Sequence, residues 1–111
     1  RIEFVKNAFK DKIKASPVVP KLVDNLIELP ASMFFGDPVF KFTALLRAKY
    51  GIDDAIKTKN IFHVYFHPHN VMMYASYLKD FESLLKYVSH RVKKRQIEVM
   101  TMGELSELSG Y

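Results

Sequence analysis

The chain has 111 residues, of which 49% are hydrophobic and 14% aromatic, so it can bury a core and is not a disordered tail. It contains no cysteine, which excludes disulfides, thiolate metal sites and a cysteine nucleophile. No apolar run approaches the roughly 20 residues of a membrane span. The net charge of +5 is spread along the chain, which favours lysines on solvated helix faces over a nucleic-acid surface.

The first third of the chain predicts a helix, a strand and a loop. The helix is expected to end at Ser16-Pro17, because the apolar residues before it recur at helical spacing: Ile2, Val5, Phe9 and Ile13. Residues 26–29 are a short apolar run stopped by Pro30, and we expect them to form a buried strand. Residues 31–36 are expected to form a loop.

The middle of the chain predicts a second helix and a second strand. Asp37 followed by Pro38 is typical of a helix start, and Gly51 fits its end, with a further helical turn or two over residues 52–58. Residues 61–66 are aromatic and β-branched, which predicts a strand. Because polar and apolar residues do not alternate along it, we expect both faces of this strand to be covered.

The last third contains the clearest helix. After Asn70, one face of the predicted helix is apolar and the opposite face is charged; the apolar residues are Tyr74, Tyr77, Phe81, Leu84, Leu85 and Val88. Residues 96–100 predict a last strand. Thr101 and Glu104 match a capping box and predict a short closing helix.

Helices that alternate with strands in this order predict an α/β fold with a parallel sheet joined by right-handed crossovers. Three strands are few for a parallel sheet, which needs helices on both faces or closure into a barrel. The chain also begins at Arg1, inside what reads as a helix. We therefore expect residues 1–111 to be a single partial domain, the C-terminal portion of a larger (β/α) barrel.

One strand end in this order carries several groups that can do chemistry. Functional side chains of parallel α/β proteins gather at the carboxyl ends of strands, and the strand at residues 61–66 is followed directly by His67-Pro68-His69-Asn70. Pro68 favours extended backbone at His67, and imidazole can donate or accept a proton near neutral pH. His67 is therefore the candidate catalytic residue. The structural alternative is a histidine held by a backbone carbonyl.

Two further residues are second-rank pocket candidates. His69 and His67 have a known metal-ligand spacing, but no third ligand is apparent nearby, which favours a general-acid role for His67 over a complete metal site. Glu28, on its expected buried strand, could orient a partner or pair with a buried base. His63 shares a strand face with His67 and is expected to be a packed core histidine.

The segment from Ile61 to Pro68 resembles the last conserved motif of polysaccharide deacetylases of the NodB-homology type, an apolar strand that ends in a histidine and is often followed by proline. The leucine-x-x-histidine core of that motif would fall on Val64 to His67. In many members an apolar Glu-x-Pro strand precedes the motif, as Glu28 to Pro30 does here. A long helix and a Thr-x-x-Glu-Leu segment follow it, as Thr101 to Leu105 does. The resemblance covers residues 26–108.

This resemblance implies a distorted (β/α) barrel that removes acetyl groups from N-acetylated sugars with a divalent metal, typically zinc. By that analogy, His67 protonates the leaving amine as general acid. The aspartate pair and the His-x-x-x-His motif that bind the metal lie in the N-terminal half of the family, and this chain carries neither. The chain is then the C-terminal portion of a metal-dependent carbohydrate deacetylase and binds no metal alone. Its expected partners are the missing N-terminal part or a second copy, and a carbohydrate substrate.

Two other functions fit the same sequence. The first is a non-catalytic α/β interaction module that binds an anionic polymer through the cluster Lys93-Lys94-Arg95. The second is a different metal-dependent barrel hydrolase that places His67 and His69 near a metal. In each case the open edges of a three-stranded parallel sheet predict dimerisation or a missing partner segment.

Overall fold

The computed structural model describes residues 15–109, so the helix predicted for residues 2–13 lies outside the described part of the chain. Residues 15–109 form a mixed α/β structure of short strands and four α-helices, as the alternating pattern predicted in outline. In chain order the elements are β1 Lys21–Val23, β2 Leu26–Glu28, β3 Met33–Phe34, a 3-10 helix Pro38–Phe40, α1 Ala44–Thr58, β4 Val64–Tyr65, α2 Pro68–Met72, α3 Ala75–Lys93 and α4 Met102–Ser109.

β1 and β2 form an antiparallel hairpin in which Lys21 pairs with Glu28. Both turn residues, Asp24 and Asn25, have positive φ angles of 47° and 66°. That backbone is typical of a two-residue hairpin turn, and Asp and Asn tolerate it better than most residues. The strand expected at residues 26–29 therefore exists, but it pairs with its sequence neighbour rather than entering a parallel sheet, and it is largely exposed.

β3 and β4 form a parallel pair, with Met33 opposite Val64 and Phe34 opposite Tyr65. The loop predicted for residues 31–36 is therefore wrong at its centre. Burial explains the difference, because Met33 and Phe35 are 4% and 0% exposed and enter the core. The backbone N–H of Phe35 donates to the Tyr65 carbonyl at 2.8 Å, which continues the pairing beyond the two-residue strand.

Residues 97–100 form no ladder with β3 or β4 within residues 15–109, so the strand predicted for residues 96–100 is wrong. An apolar groove of about 720 Å³ lies between this segment and the chain at residues 61–66. In residues 15–109 the strands therefore make two separate two-stranded sheets and no barrel.

The cap at Asp37 is confirmed, since its side chain accepts from the Val39 N–H at 2.9 Å and begins the 3-10 helix. α1 continues through Gly51 to Thr58 and ends at Lys59, which has a left-handed φ of 58°. The helix end predicted at Gly51 is therefore wrong, whereas the further helical turns predicted for residues 52–58 are confirmed. Gly51 is buried, and a Cβ there would lie 2.5 Å from the Ala15 carbonyl oxygen. Glycine at position 51 allows close packing of the chain against α1 and does not end the helix.

α1 and α3 pack against one face of the parallel pair and form the core around the buried side chains Phe35, Ala48, Tyr77 and Leu84. α3 confirms the helix predicted after Asn70, although Leu85 is 53% exposed. The capping box at the start of α4 is confirmed by two reciprocal hydrogen bonds of 3.1 Å between Thr101 and Glu104. No helix within residues 15–109 is long and apolar enough to cross a membrane.

Candidate functional site

The face of the parallel pair that turns away from α1 and α3 carries aromatic and imidazole rings. Successive side chains of a strand point to opposite faces. On β3, Met33 and Phe35 are buried among the helices, whereas Phe34 lies on the other face. Its ring centroid is 5.1 Å from that of Tyr65, which is 43% exposed on β4. Within residues 15–109 helices cover only one face of the second strand, so the described part of the chain does not cover both faces as expected.

His67 follows β4 directly and occupies the N-cap position of α2, with Pro68 at the first helical position. Its backbone is extended, with φ −101° and ψ 130°, as the following proline predicts. The carbonyl of His67 accepts from the Asn70 N–H at 3.0 Å, but its side chain makes no capping hydrogen bond. The imidazole of His67 therefore does not stabilise the start of α2 through a hydrogen bond.

The His67 side chain is exposed and rests on rings along one side. Its ring centroid lies 5.8 Å from that of Phe34 and 6.3 Å from that of Tyr65. The ring of His69 stacks beside it at 5.8 Å, with 19° between the two planes. The imidazole is thus supported by two aromatic rings and open to a ligand on its remaining side.

Residues 15–109 contain no group of three or more His, Asp or Glu side chains that could hold a metal ion. His69 is brought to His67, but the pair supplies at most two ligands, fewer than the three or four protein ligands of most zinc sites. His63 immediately precedes β4. It is half-buried, and its Nδ1 lies 3.1 Å from the Pro30 carbonyl oxygen, which agrees with a structural histidine.

Glu28 was expected on a buried strand, but it is exposed at the end of the hairpin. The backbone N–H of His63 donates to the Ser32 side chain at 3.0 Å, which joins the amino ends of β3 and β4. Glu28 precedes that amino end, whereas His67 follows the carboxyl end. The parallel register therefore gives no structural reason to pair Glu28 with His67.

A polar network between α1 and α3 was missed by sequence reasoning. The Tyr87 hydroxyl donates to Asp53, and Arg91 donates to Asp53 at 3.1 Å and to the Tyr87 hydroxyl at 2.8 Å. Arg91 lies in the last turn of α3. The sequence did contain a signal for this contact, because Arg91 follows Tyr87 by four residues and residues four apart are neighbours on a helix. The network joins two helices and lies apart from His67.

We expect Tyr87→Phe to lower the free energy of unfolding by about 1 kcal/mol through loss of the hydrogen bond to Asp53. Burial, and next the hydrogen bond to Asp53, raise the pKa of Tyr87 above its ordinary value. The protonated hydroxyl therefore stabilises the folded chain below roughly pH 10, and this contribution is lost as pH rises through the folded pKa. Chemical denaturation at pH 8 and pH 11 measures both effects.

Tyr65→Phe is the matched control for Tyr87→Phe, because it removes a hydroxyl from a 43% exposed tyrosine. Its free energy of unfolding should stay close to that of the parent protein at both pH values. If both variants lose the same free energy of unfolding at pH 8, a specific role for the Tyr87–Asp53 contact is contradicted.

The basic cluster Lys93-Lys94-Arg95 is exposed at the carboxyl end of α3. Cations at this end of a helix compensate the partial negative charge of its free carbonyls. The cluster is thus accessible to an anion, but the helix end already explains its charge.

Comparisons with protein-family models, with curated proteins and with solved structures find no match.

Proposed function

We propose that this chain is the C-terminal portion of a metal-dependent carbohydrate deacetylase of (β/α)-barrel architecture, in which His67 is the general acid. The supporting observation is the position of His67 at the carboxyl end of a strand in a parallel pair, on rings, with an open side. In this class of fold, reacting groups lie at that end of the strands.

The chemistry asked of His67 is one proton transfer. In amide hydrolysis the C–N bond of the acetamido group breaks, the oxygen of water bonds to the acyl carbon, and acetate leaves. The nitrogen must take up a proton so that it leaves as a neutral amine. An imidazolium within hydrogen-bond reach of that nitrogen can supply it. The exposed ring of His67, free of a capping bond, suits this task.

The divalent metal that the family resemblance implies does not fit residues 15–109 alone, because they offer no cluster of three or more ligands. The proposal therefore assigns to this chain the proton donor and one wall of the substrate cavity, and it assigns the metal ligands to other residues.

Exposed apolar side chains around the site support a partner segment. Val39 and Phe42, in the chain that follows β3, are 80% and 86% exposed, and Met72 and Met73, after β4, are 73% and 65% exposed. The two segments meet, since the ammonium group of Lys41 lies 4.7 Å from the centroid of the Tyr74 ring. Contiguous exposed apolar surface is typical of a protein interface. In this proposal the remainder of the barrel, or a second copy, covers it.

The second candidate is a non-catalytic module that binds an anionic polymer, and its support is the exposure of Lys93, Lys94 and Arg95 side by side. Such binding is driven by release of counterions and weakens steeply with salt. Binding to heparin that disappears in moderate salt, without any hydrolysis of sugars, is the result that would favour this candidate.

The direct test is hydrolysis by the intact gene product, loaded with zinc, of linear oligomers of N-acetylglucosamine. We expect acetate and free amino groups to appear in equal amounts, because one amide bond yields one of each. No acetate from oligomers of any length, with zinc bound to the protein, would overturn the proposal.

A further inference from the structure

From the rings beside His67 we infer that Tyr65 and Phe34 form a stacking platform for the pyranose ring of an N-acetylated sugar, and that they position the substrate rather than take part in the chemistry. This inference rests on the proposed function, since it concerns the substrate wall of the same site.

The platform is built by the register of the parallel pair. Phe34 and Tyr65 lie directly opposite each other, and their side chains share the face that the helices described within residues 15–109 leave uncovered. The ring centroids are 5.1 Å apart and the planes differ by 30°, so the two rings are in direct contact. Both rings contact the imidazole of His67, the group that would act on the bound sugar.

The aromatic surface is separate from the buried core. The helix-facing side of the same strands supplies that core through Met33 and Phe35, with Val64 packed against it. Neither Phe34 nor Tyr65 belongs to the core cluster or to the side chains packed against it. A row of contacting rings that is half-exposed beside a candidate proton donor is instead typical of a ligand wall.

The chemistry of a pyranose matches this surface. A sugar ring has apolar faces of C–H groups and a rim of hydroxyl groups, and the negatively charged face of an aromatic ring attracts C–H groups. Polar groups stand at the edge of the platform, where the rim would lie: the Tyr65 hydroxyl and the imidazoles of His67 and His69.

The test compares Tyr65→Leu, which removes the ring but keeps an apolar side chain, with Tyr65→Phe, which keeps the ring. In the zinc-loaded intact protein, Tyr65→Leu should raise KM for a tetramer of N-acetylglucosamine roughly tenfold, the loss expected for one aromatic contact and the area it buries. Its kcat should change less than about threefold, because the contact is made equally in the bound substrate and the transition state. Tyr65→Phe keeps the ring and loses only the hydroxyl at the rim, so its KM should rise less than that of Tyr65→Leu.

A second measurement separates this inference from the proposed function. Binding of the same tetramer is measured by calorimetry in a His67→Ala background, which prevents turnover. Tyr65→Leu and Phe34→Leu should each weaken binding roughly tenfold. The control is His90→Leu, which removes an exposed ring on α3 outside the candidate site, and it should leave binding unchanged.

The outcomes are distinct. If the parent protein releases no acetate but Tyr65→Leu still weakens binding, the proposed function fails and the platform stands. If acetate release is normal and Tyr65→Leu binds the tetramer as tightly as its background, the platform fails and the proposed function stands. If the tetramer binds to none of the proteins measured, the inference of a stacking platform is overturned.

Discussion

His67→Ala in the intact, zinc-loaded protein is expected to lower kcat for N-acetylglucosamine oligomers by about 10²–10⁴-fold, the usual contribution of a positioned general acid. KM should change little, because the ring acts on the leaving nitrogen. Metal content should also stay the same, since a proton donor is not a ligand. Added imidazole should restore part of the lost rate by entering the vacated space above Phe34 and Tyr65.

His90→Ala is the matched control, because His90 is an exposed histidine on α3, outside the candidate site. It should retain the kcat of the parent protein. Loss of zinc from His67→Ala would identify His67 as a ligand, and a kcat within about fivefold of the parent value would remove its role as acid.

Gly51→Ala is expected to lower the free energy of unfolding by about 2 kcal/mol, although alanine is the better helix former. A Cβ at this position would lie 2.5 Å from the Ala15 carbonyl oxygen and would also overlap Cε2 of the Phe62 ring. The carbonyl belongs to the backbone and cannot rotate away, so either α1 or the chain at Ala15 must shift. Chemical denaturation measures the difference.

Gly103→Ala is the control for Gly51→Ala, because it makes the same substitution in α4 with open space around it. The nearest atom to its added Cβ, the Thr101 side-chain oxygen, is 3.8 Å away, an ordinary contact. This variant should be as stable as the parent protein or more stable, by up to about 1 kcal/mol. If Gly51→Ala is as stable as the parent protein, the close packing of Phe62 against α1 is wrong.

Signals that reside within a few residues predicted two helix starts and one long helix correctly. The capping box of Thr101 and Glu104 and the cap at Asp37 were readable because each depends on a side chain and a nearby N–H. The long helix α3 was readable because its apolar face repeats over several turns.

Features that depend on contacts between residues distant in sequence could not be predicted. A short apolar run can pair with its neighbour in a hairpin or with a remote strand, and the sequence at Leu26–Glu28 does not distinguish the two. The helix end assigned to Gly51 followed the commonest use of glycine, whereas its actual reason is a ring that arrives from residue 62.

The candidate site was predicted in part for the same reason. His67 could be found from its position after a strand and before proline, and the structure brings His69 to it. The contribution of Phe34 could not be found, because its segment reads as a loop and the register that sets it beside Tyr65 is formed across the intervening α1. Glu28 was misplaced because its strand was assumed to be buried.

The short parallel pair has a consequence for the order in which the chain folds. Ser32 and His63 meet across 31 positions, and β3 and β4 have two residues each, so few hydrogen bonds offset the entropy of closing that loop. α1 lies within the loop, so its formation shortens the span that must close and lowers the entropy cost of aligning the strands. We therefore expect the surface around His67 to assemble late in folding, and local opening to disperse it while α1 and α3 remain packed.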